Sequence, residues 1–400
     1  MRLAIKGNER IILVLLTVIT FPFKAWYMLS RPLFPSGPDA QTYIPATIDF
    51  ANLDFFSSEI EGMPNWPAGY PWLQSFVYRI NSDVWVEYTQ ILQLLLFSIS
   101  IFLFFEVFTL LTSKKIAMIS SATLILYPAW AVANGESMYE TFLWFFSVFG
   151  FYLLICCAAR NALVLLGGVS IGIAIVIHPR IIPVVVLFVV TVWKIHTQTK
   201  WNRTLFLVGS FLLPILFLIR NRIAEGVLTL SDALRPSIVG YHPKSMYGCG
   251  SLECVPASIL NHPLEFLQEC IFNLYAFWSP HSGSMARGSW FHNISLFSAL
   301  ERVGLTQISV VFALSATVFA VCIASLGCLV TFRDRSKYRI FLLLTFSYFI
   351  STDFFIFGDN RHRLIAMLVS LPLQIIGIET LFRFTRKIEK SVKGKNYFSS

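Results

Sequence analysis

Charged residues are scarce in this chain of 400 residues. Only 13% are Asp, Glu, Lys or Arg, whereas 56% are hydrophobic, and soluble domains are about one quarter charged. The apolar residues form runs of roughly 20 residues, long enough to cross the hydrocarbon core of a bilayer. The composition therefore excludes a soluble globular protein. It predicts an all-α polytopic membrane protein, because backbone groups in lipid must be hydrogen-bonded within their own segment.

The sequence also lacks the motifs of several enzyme classes. No G-x-x-x-x-G-K-[ST] is present, which excludes a P-loop ATPase, and neither G-x-S-x-G nor H-E-x-x-H occurs. A nucleotide-sugar Rossmann fingerprint is missing, so direct use of a soluble nucleotide sugar is not favoured. There is no D-x-D, and the seven cysteines show no convincing metal-ligand spacing. We therefore expect no cofactor, and a divalent metal is not supported by the sequence.

About ten segments are predicted to cross the membrane as helices. They are residues 11–29, 88–111, 116–133, 139–159, 162–177, 181–195, 205–220, 308–332, 340–357 and 364–382. Only three residues separate 162–177 from 181–195, so these two can instead form one kinked segment, which would change the topology. The first run follows a short basic N-terminus without a small-residue cleavage site, and we interpret it as an uncleaved membrane helix.

The placement of charge predicts the topology. With the N-terminus in the cytoplasm, most lysines and arginines fall in cytoplasmic segments and most acids fall outside, as the positive-inside rule requires. The net charge of +9 is then a topology signal and does not indicate nucleic-acid binding. We expect one transmembrane domain over 1–382, with external loops at 30–87 and 221–307 and a basic cytoplasmic tail at 383–400. The predicted location is the plasma (inner) membrane, with the functional site on the external or periplasmic face.

The first external loop contains the first candidate residues. Asp39 follows a turn rich in proline and glycine and begins a predicted helix. A carboxylate there either caps the helix or acts as a general base facing a cavity. Trp66 and Tyr70 lie in a later segment interrupted by prolines. They form either a turn with interfacial aromatics or a wall that stacks on a sugar or lipid chain.

Five stretches together resemble the GT-C glycosyltransferases, a class that includes protein mannosyltransferases and the aminoarabinose transferases of lipid A. The first is G-P-D-A-x-x-Y, with Asp39 and Tyr43, and the second is P-A-G-Y-P-W-L-Q, in which Ala68 replaces the second proline typical of the family. The others are N-G-E-S-M-Y-E-T-F-L-W-F with Glu136, His178-Pro179-Arg180, and the segment 358–363. The resemblance covers roughly 10–200 and 350–370, and the second long loop has no match.

The resemblance implies inverting transfer of a hexosyl or pentosyl group from a polyprenyl-phosphate carrier to a glycan, lipid or protein acceptor. Asp39 matches the family's base, and Glu136 would be a second acid or orient the acceptor, unless it only caps a helix. The guanidinium group of arginine can donate two parallel hydrogen bonds to phosphate oxygens. The residues expected to bind the donor phosphate are Arg180, Arg361 and Arg363, with anchoring to lipid headgroups as the alternative. The expected substrate-binding residues are Tyr43, Trp66, Tyr70, His178 and His362.

Several alternatives remain open from the sequence. Cys249 and Cys254 in the second loop form a disulfide, remain free thiols, or belong to a metal site. A transporter or flippase of a lipid-linked saccharide is a rival function, although such proteins usually carry inverted repeats and polar residues near mid-membrane. A polysaccharide polymerase or ligase is another, and it would depend on arginines of the large loop rather than on Asp39.

Overall fold

For the residues that it describes, the computed structural model of the chain confirms the all-helical prediction. It describes residues 8–29, 38–63, 66–127, 129–135, 138–195, 200–231, 259–278, 306–333, 337–355 and 360–396. Within these ranges lie fourteen α-helices and one 3-10 turn. They are α1 (Asn8–Leu29), α2 (Pro38–Asn52), α3 (Gly69–Ile80), α4 (Trp85–Leu111), α5 (Lys114–Leu126), α6 (Ala129–Gly135), α7 (Glu140–Cys156), α8 (Asn161–Ile177), the 3-10 turn Pro179–Ile181, α9 (Ile182–Ile195), α10 (Lys200–Glu225), α11 (Pro263–Trp278), α12 (Thr306–Arg333), α13 (Lys337–Phe355) and α14 (Asn360–Asn396).

Four of the described helices are long and apolar enough to cross a membrane: Asn8–Leu29, Trp85–Leu111, Lys200–Glu225 and Leu364–Arg386. Five shorter apolar helices of 10–17 residues accompany them. The chain is therefore an integral membrane protein, as its composition predicts. The number of about ten spans stays a prediction. Helix α14 also extends to Asn396, so most of the expected basic tail continues the last helix.

The predicted span 116–133 is interrupted. Helix α5 ends at Leu126 and α6 begins at Ala129. Between them Tyr127 has an extended backbone, with φ −74° and ψ 112°, which is the conformation expected for a residue before proline. Hydrophobicity alone does not reveal this break, because the run stays apolar through it.

The chain reverses direction at His178-Pro179-Arg180. Ser170 of α8 donates to the Phe146 carbonyl of α7 at 2.7 Å, and the Tyr139 and His178 rings lie 4.8 Å apart, so α8 runs antiparallel to α7. Phe188 of α9 stacks on Phe151 at 3.7 Å, so α9 returns alongside α7. Residues 162–177 and 181–195 thus form two helices and not one kinked segment.

Helices α8 and α10 touch along their backbones. A Cβ added to Gly168 would lie 2.2 Å from the Phe206 carbonyl oxygen, and one added to Gly209 would lie 2.6 Å from that of Leu165. Small residues permit such close approach between membrane helices. The two helices are therefore held in direct backbone contact.

Ion pairs mark one end of the bundle. They link the start of α1 to the end of α4, the start of α1 to the start of α5, and α5 to α14. The pairs are Arg10–Glu106 at 2.6 Å, Lys114–Glu9 at 2.8 Å and Lys115–Glu379 at 2.6 Å. This is the end predicted to face the cytoplasm. The opposite end, which contains α2, α3 and the starts of α4 and α7, is called the loop end below.

Candidate functional site

Two arginines fix the first long loop at the loop end. Arg79 of α3 donates to the carbonyls of Phe50 and Ala51 at 2.9 and 3.0 Å. These carbonyls lie at the end of α2, where the last carbonyls of a helix have no intrahelical hydrogen-bond donor. Arg220 of α10 is fully buried. Its guanidinium donates to two carbonyls of the loop beyond α2, those of residues 55 and 57, at 3.2 and 2.8 Å. The loop is therefore attached to both α3 and α10.

Two of the sequence motifs lie next to each other. Gly69 of P-A-G-Y-P begins α3, and a Cβ at this position would lie 2.5 Å from the Ile177 backbone nitrogen at the end of α8. His178 follows immediately. Ala68, at the position where the family has a second proline, is only 2% exposed. The glycine is thus required by a close backbone approach, and that approach joins the first loop to the His178-Pro179-Arg180 turn.

A chain of buried hydrogen bonds crosses the loop end from α2 to α6. The Thr47 hydroxyl lies 3.1 Å from Gln74 Oε1, and Gln74 Nε2 donates to the Tyr70 hydroxyl at 2.9 Å. Tyr70 donates to Gln93 Oε1 at 3.0 Å, and Gln93 Nε2 donates to the Asn134 carbonyl at 2.8 Å. All five residues are 0% exposed. They are called the buried hydrogen-bond chain below.

A line of aromatic rings runs beside this chain. Tyr43 of α2 meets Tyr70 edge to face at 5.3 Å and Tyr139 at 6.5 Å. Tyr139 in turn lies 4.8 Å from the His178 ring. The rings connect the helix that begins near Asp39 with the turn that carries Arg180.

Arg180 and His178 line a cleft at the loop end. The cleft is small, about 20 Å³, and partly open, and the residues around it are Tyr139, Leu143, His178, Arg180, Ile181, Phe349 and Ile365. One wall is a turn between helices and the other comes from α13 and α14. The cleft thus combines a cation and an imidazole with apolar and aromatic surface.

Helix α13 holds Arg180 in this wall. The guanidinium donates to Thr352 Oγ1 at 2.9 Å, and the Tyr348 hydroxyl donates to the Arg180 carbonyl at 2.7 Å. The Arg180 amide donates to His178 Nδ1 at 3.3 Å. The arginine side chain is half-buried. Its position is therefore fixed by two residues of one helix, α13.

The other predicted site residues fall into three groups. Tyr43, Tyr70 and Trp66 are described, and the two tyrosines are almost fully buried, while Trp66 is half-buried. Asp39 and Arg361 belong to helices whose course is described, but their side chains lie outside the described structure, as do those of His362 and Arg363. The residues that lie wholly outside the described ranges are Glu136, Cys249 and Cys254.

Helix register still places two of these residues. Asp39 is one turn before Tyr43 in α2, and residues four apart share a helix face. Arg361 is likewise one turn before Ile365, which lines the cleft. Register alone thus relates the backbone positions of Asp39 and Arg361 to two residues whose side chains are described, Tyr43 and Ile365.

Sequence reasoning missed several polar residues of the bundle. Gln90 and Gln93 are buried on α4, Glu140 is 0% exposed in the first turn of α7, and Lys24 of α1 lies 4.9 Å from the Phe97 ring centroid. Each is a polar residue inside an apolar run. Ionisable or amide side chains at membrane depth are costly and are commonly functional, and this signal could have identified them.

These features define the class of protein: a helical membrane protein with a structured first loop and a cationic cleft at the loop end. The same fold occurs in the Archaeoglobus fulgidus oligosaccharyltransferase. Its apo structure matches with a TM-score of 0.52 at 14% identity, over 95% of this chain and 52% of that one. AglB from the same organism, solved with an inhibitory peptide and a dolichol-phosphate, matches with 0.50 at 14% identity over 96% and 52%. The resemblance to GT-C glycosyltransferases is thus confirmed at the level of the fold.

The likeness to these solved structures covers only part of their length. The chain spans about half the length of these solved structures. No family model matches the sequence, and no curated protein matches it either. At 13–14% identity the likeness concerns the fold, so the chemistry must be argued from the residues of this chain.

The expectation about metals is wrong. A structure of the Archaeoglobus fulgidus oligosaccharyltransferase in complex with zinc and sulfate matches this chain with a TM-score of 0.50 at 13% identity, over 92% of this chain and 49% of that one. A protein of this fold therefore does accommodate a divalent ion. Within the described ranges no three histidines, cysteines or acids come together as a metal site, but the side chains of Asp39 and Glu136 are not among them. A missing D-x-D is a poor guide because carboxylates distant in sequence can share one ion.

Proposed function

We propose that the protein transfers a sugar from a polyprenyl-phosphate carrier to an acceptor at the non-cytoplasmic face of the membrane, with inversion at the anomeric carbon. The single observation that carries the proposal is the cleft formed by Tyr139, His178, Arg180, Phe349 and Ile365. A fixed guanidinium beside apolar and aromatic side chains suits a ligand that joins a phosphate to a prenyl chain.

The phosphate would be bound from two sides of this cleft. Arg180 extends from the turn after α8, and Thr352 and Tyr348 hold it in place. Arg361, one turn before Ile365, would approach from the start of α14, with Arg363 and His362 beside it. Their positive charge would stabilise the phosphate that departs when the glycosidic bond breaks.

Asp39 would act as the base. Its helix is fixed by Arg79 at one end and joined by Tyr43 to the ring line that reaches His178. A carboxylate within hydrogen-bond reach of an acceptor hydroxyl or amide can take its proton as the new bond forms. Attack from the face opposite the phosphate inverts the anomeric carbon. Glu136 would orient the acceptor.

A divalent ion is part of this proposal because the zinc-bound structure shares the fold. Asp39 and Glu136 are the residues that we expect to hold it, since carboxylate oxygens are suitable ligands. The observation that fits is the buried hydrogen-bond chain, which links α2 to the carbonyl two residues before Glu136. When bound, such an ion would supply positive charge at the site. Calorimetric titration of zinc or manganese into wild type and Glu136→Gln tests this without requiring turnover.

We suggest testing the whole proposal with the full chain in lipid nanodiscs and a panel of labelled polyprenyl-phosphate sugars. Asp39→Asn should lower kcat by about 1000-fold, since loss of a general base typically costs 10²–10⁴, while leaving the melting temperature unchanged. Arg180→Gln should mainly raise KM for the donor. Transfer by Asp39→Asn at the wild-type rate would contradict the assignment of the base.

Matched controls are available in the same loop. Asp49 is the other acid of α2, and its carboxylate accepts from the Glu61 amide at 2.9 Å on the exposed side. Asp49→Asn should retain nearly full activity. If both aspartate variants lose activity equally, the effect reflects loop folding rather than base catalysis.

A further inference from the structure

One face of α13 runs along α9 and reaches the turn that carries Arg180. Four residues spaced four, three and four positions apart share this face: Phe341, Thr345, Tyr348 and Thr352. At its start, the Phe341 ring meets the Phe188 ring of α9 edge to face at 5.3 Å, and Phe188 stacks on Phe151 of α7. All three phenylalanines are buried. Helix α13 is therefore packed on α7 and α9 two turns before it meets Arg180.

Two residues of this face bond to different parts of Arg180. The Tyr348 hydroxyl donates to the Arg180 backbone carbonyl at 2.7 Å, and the guanidinium Nη2 donates to Thr352 Oγ1 at 2.9 Å. The Phe349 ring centroid lies 5.9 Å from the guanidinium carbon. Tyr348 therefore fixes the course of the backbone at this residue, and Thr352 fixes the direction of the guanidinium plane.

The Thr352 hydroxyl is oriented as an acceptor towards Arg180. Its oxygen lies 3.0 Å from the carbonyls of Tyr348 and Phe349 in its own helix, and it can donate its proton to either. Threonine in a helix commonly makes such a bond, and the lone pairs of the oxygen then remain for the guanidinium. Because the oxygen carries no net charge, this bond orients the arginine without neutralising its positive charge.

The orientation of a guanidinium group matters when it binds a phosphate. Its N–H donors form a rigid planar fork, and two parallel hydrogen bonds to phosphate oxygens form only when the fork lies in the correct plane. A side chain that is already held in one orientation also loses less conformational freedom when the ligand binds. A contact that fixes the plane of Arg180 should therefore increase its affinity for a phosphate.

We propose that Thr352 and Tyr348 are positioning residues that set the affinity of the Arg180 cleft for a phosphate group. The kinetic consequence rests on the proposed function, but the state of the Arg180 side chain can be measured without a donor. Thr352 should have the larger effect, because it bonds to the guanidinium itself, whereas Tyr348 bonds to the backbone. The affinity is thus controlled by a helix 172 residues away along the chain.

The kinetic test compares Thr352→Val, Thr352→Ser and Tyr348→Phe in nanodiscs. Valine has the shape of threonine without its hydroxyl, whereas serine retains the hydroxyl. Thr352→Val should raise KM for the donor by about 10-fold, the loss expected for one hydrogen bond to a charged group, while kcat stays within about 2-fold. Thr352→Ser should keep KM within about 2-fold of wild type, and Tyr348→Phe should raise it by about 3-fold.

Thr345→Val is the matched control. Thr345 lies on the same face of α13 and is 0% exposed, and its hydroxyl makes no hydrogen bond to any residue that the structure describes. The substitution makes the same chemical change in the same helix without removing a bond to Arg180. Its KM should stay within about 2-fold of wild type. An equal rise in KM in Thr345→Val and Thr352→Val would refute the proposal, because both would then act through helix packing.

A double-mutant cycle separates positioning from stability alone. In an Arg180→Ala background, Thr352→Val should change KM by less than about 2-fold, because the group that Thr352 orients is absent. A residue that only stabilised the fold would have the same effect in both backgrounds. Equal effects of Thr352→Val with and without the Arg180 side chain would therefore overturn the proposal.

A chemical test needs neither donor nor turnover. Phenylglyoxal reacts with guanidinium groups, and mass spectrometry of the peptide that contains Arg180 gives the rate of its modification. Loss of the hydrogen bond in Thr352→Val should raise this rate at least about 3-fold, whereas Thr352→Ser and Thr345→Val should react as wild type does. Equal rates in all four proteins would refute the proposal even if no donor is found.

The outcomes distinguish this proposal from the proposed function. If Arg180→Ala raises KM for the donor and Thr352→Val does not, the positioning role fails and the phosphate site stands. If Arg180→Ala leaves KM unchanged, the phosphate site fails, and the affinity claim fails with it. The modification rates then still decide whether Thr352 orients the guanidinium.

Discussion

The two ends of the bundle are held together by different chemistry. At the loop end the contacts are buried and mostly neutral, such as Gln93 with Tyr70 and Asn134. At the opposite end they are ion pairs whose side chains remain partly accessible, with 70% and 20% exposure in the Lys115–Glu379 pair. Buried hydrogen bonds are costly to leave unmade, whereas exposed ion pairs contribute about 0–1 kcal/mol. The side chains at the loop end, where we propose chemistry, are therefore held in one arrangement by buried hydrogen bonds. The ion pairs at the opposite end restrict their side chains less.

The largest loss of stability is expected when Arg220, which attaches the first loop at the loop end, is replaced. Arg220→Met would leave the buried carbonyls of the loop after α2 without their donor and Glu225, 3.6 Å away, without its cation. Removing one partner of a buried charged pair typically costs about 3–5 kcal/mol. We expect a loss of about 3 kcal/mol in the free energy of unfolding, measured by denaturant titration in detergent micelles.

The control for this variant is Arg222→Ala, two residues along the same helix. Arg222 is exposed and donates to the Gly226 carbonyl nearby. Its loss should change the free energy of unfolding by less than about 0.5 kcal/mol. Equal effects of the two substitutions would argue against the loop attachment.

A smaller effect is expected at Gly69. In Gly69→Ala the new methyl group would meet the Ile177 backbone nitrogen at 2.5 Å, and backbone cannot move aside as a flexible side chain can. Overpacking of this kind costs about 1–3 kcal/mol. The melting temperature should fall, and susceptibility of the first loop to added protease should rise. Ser82→Ala, an exposed change just beyond the same helix, should do neither.

The smallest effect is expected at the ion-pair end. Lys115→Ala removes one partner of Glu379, but Arg383 remains 3.8 Å from the same carboxylate. The free energy of unfolding should change by less than about 0.5 kcal/mol, and the difference should shrink further in high salt. A loss of more than about 2 kcal/mol in the free energy of unfolding would show that the ion pairs at this end matter as much as the buried contacts of the loop end.

The sequence predicts well what depends on local pattern. The apolar runs give most helices to within a few residues, for example 162–177 against the observed Asn161–Ile177. The aromatic and proline-rich sequence of the first loop likewise predicts that this loop is structured. Such features are determined by neighbouring residues, so one chain is enough to reveal them.

Long-range partnerships are not accessible in the same way. Thr47 and Gln74 are 27 residues apart, Gln93 and Asn134 are 41 apart, and Arg180 and Thr352 are 172 apart. Nothing in the local pattern pairs them, because each bond depends on how helices pack. Gln93 could have been singled out as an amide in an apolar helix, but its two partners could not.

The backbone contact between α8 and α10 has a consequence for how a lipid reaches the cleft. Even a single methyl group would overlap the Phe206 carbonyl at Gly168, and one at Gly172 would lie only 3.0 Å from that of Ser210. No hydrocarbon tail can thread between these two helices without prising them apart. On the proposed function, a prenyl chain would therefore approach from another flank of the bundle, and a photo-crosslinking carrier should leave residues at the contact between α8 and α10 unlabelled.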